Sequence, residues 1–182
     1  VYVPLGHKLH PALPEADLEV LREVFSNTRE QRIVHQAYFD VRIARYTGHL
    51  PFVWPWLDTM LAAWVFDESV ELNLKGLAHH YLGWAPMEFG DLGEIPFDSL
   101  RVDVACPYAC QDAYVTYRLM EFLLTHLHPA GRKLLFEIEM PYQELAIRMT
   151  ETGIPVNSYR MMEYRQVIGE VMGPAEAAVK SR

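Results

Sequence analysis

The segment "IVHQAYFDVRIARY", residues 33–46, decides the fold that the sequence predicts. It opens on two β-branched residues and then changes to helical spacing, with Phe39 and Tyr46 on one face. The pattern predicts a short strand that runs directly into an amphipathic helix ending at Gly48. The first helical turn also carries a carboxylate, Asp40, between two apolar side chains. An acid in that place needs either a stabilising role at the helix start or a partner.

Most of the remaining sequence predicts helices. Two further segments have an extended pattern, "VYVPLG" at residues 1–6 and "PFVWPWL" at residues 51–57. Asp58 is expected to cap one helix and Gly83 to end another, and Pro107 is expected to kink or restart a long helix. Strands that alternate with helices predict an α/β fold, but two or three strands make an incomplete sheet. The helical segments are residues 14–27, 58–66, 72–83, about 101–128, 132–152 and one from about Asn157 onwards.

A second carboxylate, Asp112, occupies an apolar face of the long predicted helix. A carboxylate on a packed face is costly unless it is paired or binds a cation. For each acid taken alone, two interpretations stay open, because Asp40 could stabilise a helix N-terminus and Asp112 could lie at the edge of its stripe. The stripe consists of Tyr108, Asp112, Val115, Leu119 and Phe122.

The net charge constrains the partners. It is −8 in total, and residues 1–128 carry all of it, because acidic and basic side chains balance in residues 129–182. An acidic surface does not attract nucleic acid by itself, so a polyanionic substrate would require a metal ion or a local basic patch. Lys75 and Arg118 are candidate phosphate contacts by their charge alone, since no motif supports either of them. No apolar run reaches membrane-spanning length and no leader pattern is visible, so we expect neither membrane association nor a signal peptide.

Two short motifs acquire meaning when they are taken together. "HQAYFD" is followed some seventy residues later by "YACQD". In this order and spacing they resemble the second and third motifs of the DnaQ-like 3′–5′ exonucleases, which are Asn, two or three residues, an aromatic and Asp, and then Tyr-x-x-x-Asp. The third motif is complete as Tyr108 and Asp112, and the second keeps Phe39 and Asp40. Gln36 stands where Asn is usual.

The flanking segments narrow the resemblance to one family. "DTMLAAWVFDES", "NLKGLAHHYLG" and "PYACQDAYVTYRL" resemble the proofreading domain of family A, DNA polymerase I-type, DNA polymerases. Beyond residue 130, "LLFEIEMPYQELAIRMTETGIPVN" resembles the start of the polymerase domain of that family. The resemblance therefore divides the chain into an exonuclease-like domain at residues 1–130 and the helical beginning of a polymerase domain at residues 131–182.

This resemblance implies a ribonuclease-H-like (DnaQ-like exonuclease) α/β fold with an incomplete sheet, and proofreading hydrolysis of DNA 3′ ends during replication and repair. It implies two divalent metal ions, Mg or Mn, which bridge an acidic site to an acidic substrate. By motif position, Asp40 and Asp112 are catalytic and bind metal, and Tyr108 orients the attacking water. Gln36 and His35 are the expected contacts to the single-stranded 3′ end.

The first motif of the family, Asp-x-Glu on a strand, is missing before residue 40. The nearest such string, in "EADLE", falls in a predicted amphipathic helix. Either these residues are a piece of a longer polymerase, which we favour, or they form a catalytically inactive, exonuclease-like scaffold that binds DNA or supports a polymerase domain. In both cases we expect the isolated chain to be inactive and to hold little or no metal.

The partners expected from the resemblance are a DNA primer-template with its single-stranded 3′ end and the rest of the polymerase chain. A location in the cytoplasm of a bacterium or a phage-infected host follows from it, and an organellar location stays open. Exposed strand edges would favour pairing with a second copy, so a homo-oligomer is also expected.

Overall fold

The computed structural model describes residues 2–4, 7–9, 15–46 and 50–180, and over these ranges the chain is mostly helical. Its compact units are Val1–Ile147 and Arg148–Arg182. The strands are β1 (Arg32–Val34) and β2 (Trp56–Asp58). The helices are α1 (Glu15–Ser26), α2 (Ala37–Tyr46), α3 (Thr59–Phe66), α4 (Leu74–Leu82), α5 (Val102–His126), α6 (Pro129–Leu134), α7 (Met140–Thr152) and α8 (Ser158–Lys180). Short 3-10 turns cover Phe89–Leu92 and Phe97–Ser99, and a π-helical turn covers Leu135–Glu139.

The two strands are parallel, and α2 connects them. Val34 pairs with Asp58 at the carboxyl ends of the strands. The predicted strand followed by a helix is therefore confirmed, with the strand ending before His35. Helix α2 reaches Tyr46, and its predicted stop at Gly48 lies outside the described residues.

The prediction of a strand in "VYVPLG" is wrong for the residues that are described. Tyr2–Pro4 have no regular secondary structure, and the rest of that segment lies outside the described ranges. The physical reason lies just beyond it: His7 Nδ1 is 3.0 Å from the carbonyl oxygen of Leu100, and the amide of Lys8 donates to Asp98 O at 2.7 Å. These contacts therefore hold His7 and Lys8 against the loop before α5, and the described residues Tyr2–Pro4 form no sheet ladder.

Asp58 joins the two strands to the helices that follow them. Its side chain is fully buried. It accepts hydrogen bonds from the backbone amides of Gln36 and Ala37 at 3.0 and 2.7 Å, at the start of α2, and from that of Met60 at 2.8 Å, in the first turn of α3. The Gln143 Nε2 amide on α7 donates to it at 2.6 Å. The predicted cap is thus confirmed, and it also fixes a second helix start.

Two apolar clusters of the first unit pack around this joint, the place where Asp58 links the end of β2 to the starts of α2 and α3. One is formed by α3, α4, α5 and the turn after α6, and includes Leu77, Leu119 and Leu123. The other packs α2 and β2 around Val41 and Trp56, with Ile147 of α7. Trp56 Nε1 donates to Gln143 Oε1 at 2.9 Å, so the indole is satisfied inside its cluster.

The long helices differ in detail from expectation. Helix α5 runs without interruption through Pro107, so the restart, one of the two predicted alternatives, is wrong, and the kink stays a prediction. Since Pro107 is only five residues from the helix start, little of the helical ladder precedes it. The predicted helix over 132–152 is confirmed with a π-helical turn inside it. Gly83 ends α4 with φ of 64°, as predicted.

The second unit contains the end of α7 and helix α8. The α8 start is confirmed near Asn157, whose side chain accepts from the Arg160 amide at 3.1 Å. The predicted domain boundary near residue 130 stays a prediction. The first compact unit extends to Ile147, but a unit defined by packing does not test where one family domain ends and the next begins. Among the described residues, none of the helices is both long enough and apolar enough to cross a membrane.

We predict that Asp58→Ala lowers the free energy of unfolding by about 3 kcal/mol or more, because three backbone amides and the Gln143 amide lose their buried acceptor. Urea unfolding followed by circular dichroism measures the change. Asp17→Ala, at an exposed position on α1, is the control and should shift stability by about 0.5 kcal/mol or less. A change for Asp58→Ala as small as that of the control would contradict the role of Asp58.

Candidate active site

One cleft contains every site residue that the sequence predicted. Its volume is about 610 Å³, and it opens where β1 passes into α2, with α4 and α5 forming the other side. His35, Gln36 and Asp40 come from the first side, and Tyr108 and Asp112 come from α5. Lys75 of α4 lines it as well. The remaining lining residues are Ile33, Val34, Phe39, Leu74, Ala113 and Thr116. The fold therefore brings together two motifs that lie far apart in the sequence.

Asp40 is held at the start of α2 in an environment that opposes its charge. Its carboxylate accepts a hydrogen bond from the backbone amide of His35, which favours the ionised form. Burial works against this and is the larger effect, and the nearby charge of Asp58 adds to it. Together they raise the pKa of Asp40 from 3.8 to about 6. The carboxylate is therefore a group that gains from a cation.

Asp112 has a different environment on α5. The Lys75 ammonium forms an ion pair with Asp112 Oδ1, and the side chains of Lys75 and Asp112 are 14% and 28% exposed. Tyr108, one turn earlier, donates its hydroxyl to Asp112. Burial, followed by the charge of Asp112, raises the pKa of Tyr108 to about 12. The phenol therefore stays protonated and can act as a hydrogen-bond donor in the cleft.

Gln36 and His35 form the turn between β1 and α2. Gln36 has φ of 67°, in the left-handed region, and its carbonyl accepts from the amide of Phe39 at 2.8 Å. His35 Nδ1 is 2.8 Å from Thr59 Oγ1, so the ring is tied to the start of α3. Burial lowers the pKa of His35, against the raising effects of Asp58, a hydrogen bond to Leu72 and Asp112. The imidazole is thus a neutral, oriented group beside the cleft.

Asp40 and Asp112 suit a divalent cation by chemistry and by place. Both present hard carboxylate oxygens to one cleft. Burial raises the pKa of Asp40, so a cation would favour its ionised form, and Asp112 already pairs with the Lys75 cation. Among the described residues there is no group of three or more His, Cys, Asp or Glu that could hold a metal ion. These two acids therefore fit as part of a metal-binding set.

The Asp-x-Glu string in "EADLE" does not supply the missing acids. It lies on helix α1, as predicted, and Glu19 forms an ion pair with Arg22 on the same helix. Its exposed side chains do not line the cleft.

Sequence reasoning gave too little weight to three residues. Lys75 was only a candidate phosphate contact, and no periodic signal linked it to Asp112. Asp58 was expected to cap one helix, but the sequence did not indicate that it also receives the amides beside Asp40. Gln143 lies far along the chain, and its bond to Asp58 had no local signal. A second candidate phosphate contact, Arg118, does not line the cleft and pairs with Glu121 at 3.1 Å.

Comparison with known proteins agrees with the motifs. A family model described as 3′–5′ exonuclease matches residues 1–128. A DNA polymerase I of Pseudomonas aeruginosa is 28% identical over 94% of this chain and 20% of its own length. The DNA polymerase I of Borreliella burgdorferi is 33% identical over 71% of the chain and 15% of its own length, and that of Chloroflexus aurantiacus is 31% identical over 89% and 18%. The chain spans a fifth or less of these curated relatives.

We predict that Asp40→Asn stabilises the chain at neutral pH. Because the folded pKa of Asp40, about 6, lies above the unfolded value of 3.8, its favourable contribution is complete below pH 3.8 and is lost as the pH rises to 6. The variant should thus equal the wild type near pH 3.5 and exceed it by up to about 3 kcal/mol at pH 7.5. Urea unfolding at both values measures this.

Asp17→Asn on the exposed face of α1 is the matched control and should show no such pH-dependent gain. Equal stability of wild type and Asp40→Asn at pH 7.5 would refute the proposed environment of Asp40.

Proposed function

The chain belongs to the 3′–5′ exonuclease family of family A DNA polymerases, and we propose that it carries the proofreading site of such a polymerase. The observation that supports this is the convergence of Asp40, Tyr108 and Asp112 on one cleft from two distant motifs. Packing alone gives no reason to place two costly acids and a phenol around the same space.

In this proposal, Asp40 and Asp112 hold divalent cations, Mg or Mn, together with further carboxylates of a complete site. When bound, such cations would activate a water molecule and stabilise the leaving oxygen. The Tyr108 hydroxyl, which stays protonated, orients the attacking water beside Asp112. Asp40, at the start of α2, faces the same space and contributes its charge to the other cation position.

In this proposal, the side chains of Gln36 and His35 contact the single-stranded 3′ end of the DNA. Both line the cleft beside Asp40. The Gln36 amide is long and exposed, which suits a hydrogen bond to a sugar or base edge. His35 offers a neutral ring held by Thr59. Because the overall charge is −8, positive charge for the DNA must come from the metal ions and from nearby cations such as Lys75.

We also infer a ribonuclease-H-like fold for the complete domain. The parallel β1–α2–β2 unit, with its site at the carboxyl ends of the strands, agrees with such an architecture. The proposed partners are a DNA primer-template and the remaining polymerase chain, of which residues 131–182 would be the beginning. The homo-oligomer expected from exposed strand edges stays a prediction.

A second candidate function is an inactive exonuclease-like scaffold that binds DNA or supports the polymerase domain. One observation favours it: Lys75 already neutralises Asp112, so this carboxylate has a partner without a metal ion. The raised pKa of Asp40 argues for the enzyme, since a scaffold gains nothing from an acid whose charge is opposed by its surroundings.

We predict that the 182-residue chain by itself removes 3′ nucleotides slowly or not at all, because the described residues that line its cleft include only two carboxylates of the expected metal-binding set. A 5′-labelled single-stranded oligonucleotide, incubated with Mg²⁺ or Mn²⁺ and resolved on a gel, measures this. Rapid trimming that a chelator stops and Asp112→Ala abolishes would contradict the prediction.

In a polymerase that contains this chain, we predict that Asp112→Ala lowers 3′–5′ exonuclease activity by roughly 100-fold or more and leaves nucleotide incorporation intact. Trimming of a mismatched primer end and extension of a matched primer are measured side by side. Asp103→Ala is the control, because this acid is on the same helix but exposed and paired with Arg101. Undiminished trimming by Asp112→Ala would remove Asp112 from the site and favour the scaffold.

A further inference from the structure

Lys75 is a cation built into the cleft. It is the second residue of α4, and the Asn73 side chain caps that helix by accepting from the Gly76 amide at 2.6 Å. Its ammonium pairs with Asp112 Oδ1 and lies 4.7 Å from the centre of the Tyr108 ring. A mostly buried ammonium between a carboxylate and an aromatic face is held by charge on both sides. The position of Lys75 is thus set by the same groups that form the proposed metal site.

The two acids of the cleft differ in one respect. Asp112 has Lys75 as a resident counter-ion. Asp40, within the described part of the chain, has no ion pair with a lysine or arginine, and its pKa is raised instead. The fold therefore neutralises one acid with a side chain and leaves the other to gain charge from elsewhere.

We propose that Lys75 is a positioning residue that competes with a divalent cation for Asp112. While it is paired, Lys75 holds the carboxylate in the cleft and spares the fold an uncompensated charge. When it withdraws, Oδ1 becomes available as a metal ligand beside the Tyr108 hydroxyl. This inference rests on the proposed function, because it assigns to Asp112 a divalent cation as its alternative partner.

Charge explains why the two partners exclude each other. A lysine ammonium and a divalent cation that share one carboxylate oxygen repel each other strongly at such short range. Lys75 therefore raises the metal concentration that is needed to occupy Asp112. Removing its charge should strengthen metal binding, whereas a lysine that helped to build the site would have the opposite effect on removal.

Manganese binding to the 182-residue chain tests this proposal without any measurement of catalysis. Free Mn²⁺ is titrated by electron paramagnetic resonance for the wild type, Lys75→Met, Lys75→Gln and Lys75→Arg. We expect the Met and Gln variants to bind Mn²⁺ roughly tenfold more tightly or better. The Arg variant keeps the charge and should stay within about threefold of wild type. Combining Lys75→Met with Asp112→Asn should abolish the gain.

Lys133→Met is the matched control, because it changes the net charge equally and breaks an exposed pair with Glu137. Its Mn²⁺ affinity should equal that of wild type. Unchanged or weaker Asp112-dependent binding in both neutral variants overturns the proposal, as does a gain in Lys75→Arg as large as that in Lys75→Met. Circular dichroism identifies an unfolded variant. Because there are two neutral substitutions, the test can still be made if one of them does not fold.

The proposed function fails in a different experiment. Persistent DNA trimming by the Asp112→Ala polymerase would refute the nuclease assignment of Asp112, whereas the manganese titration reports only the competition at its carboxylate.

Discussion

The buried carboxylate of Asp58 is the interaction on which the rest of the first unit depends. It ends β2, and its oxygens receive amides from the starts of α2 and α3 and from Gln143 of α7. A buried charge is tolerated when hydrogen bonds satisfy it, and helix N-termini supply such donors. Two helices that share one acceptor must begin close together. That constraint places the turn carrying His35 and Gln36 at the mouth of the cleft.

Three acids near this joint are stabilised in three different ways. Asp58 is satisfied by amide donors. Asp112 is neutralised by Lys75. Asp40 has one amide donor, from His35, and a raised pKa, so the free-energy cost of its buried charge is the least compensated of the three. Because Asp58 itself raises the pKa of Asp40, the residue that builds the site also increases its demand for a cation. The carboxylate of Asp58 therefore both receives the amides at the two helix starts and raises the pKa of Asp40.

Local patterns predicted the helices well because caps and periodicity are encoded within a few residues. Asp58, Gly83 and Asn157 show this. The two acids were found because a carboxylate on an apolar face is conspicuous. Lys75 could not be found in this way, since a lysine near a helix start is ordinary and its partner is 37 positions away. The strand expected in "VYVPLG" failed because composition does not determine whether a neighbouring strand is available to pair.

Gln36 shows how the joint tolerates a residue that its own conformation disfavours. A left-handed backbone suits Asn or Gly, because a longer side chain gains no local hydrogen bond in return for the steric cost. Gln36 nevertheless adopts φ of 67°. Its backbone amide donates to Asp58, and its backbone carbonyl accepts from the amide of Phe39. The turn is therefore set by Asp58 rather than by the side chain at position 36. Because Asp58 fixes the backbone from outside the turn, this position can carry a side chain longer than Asn. Under the proposed function, a longer side chain alters the reach toward the DNA 3′ end and leaves the backbone before Asp40 in place.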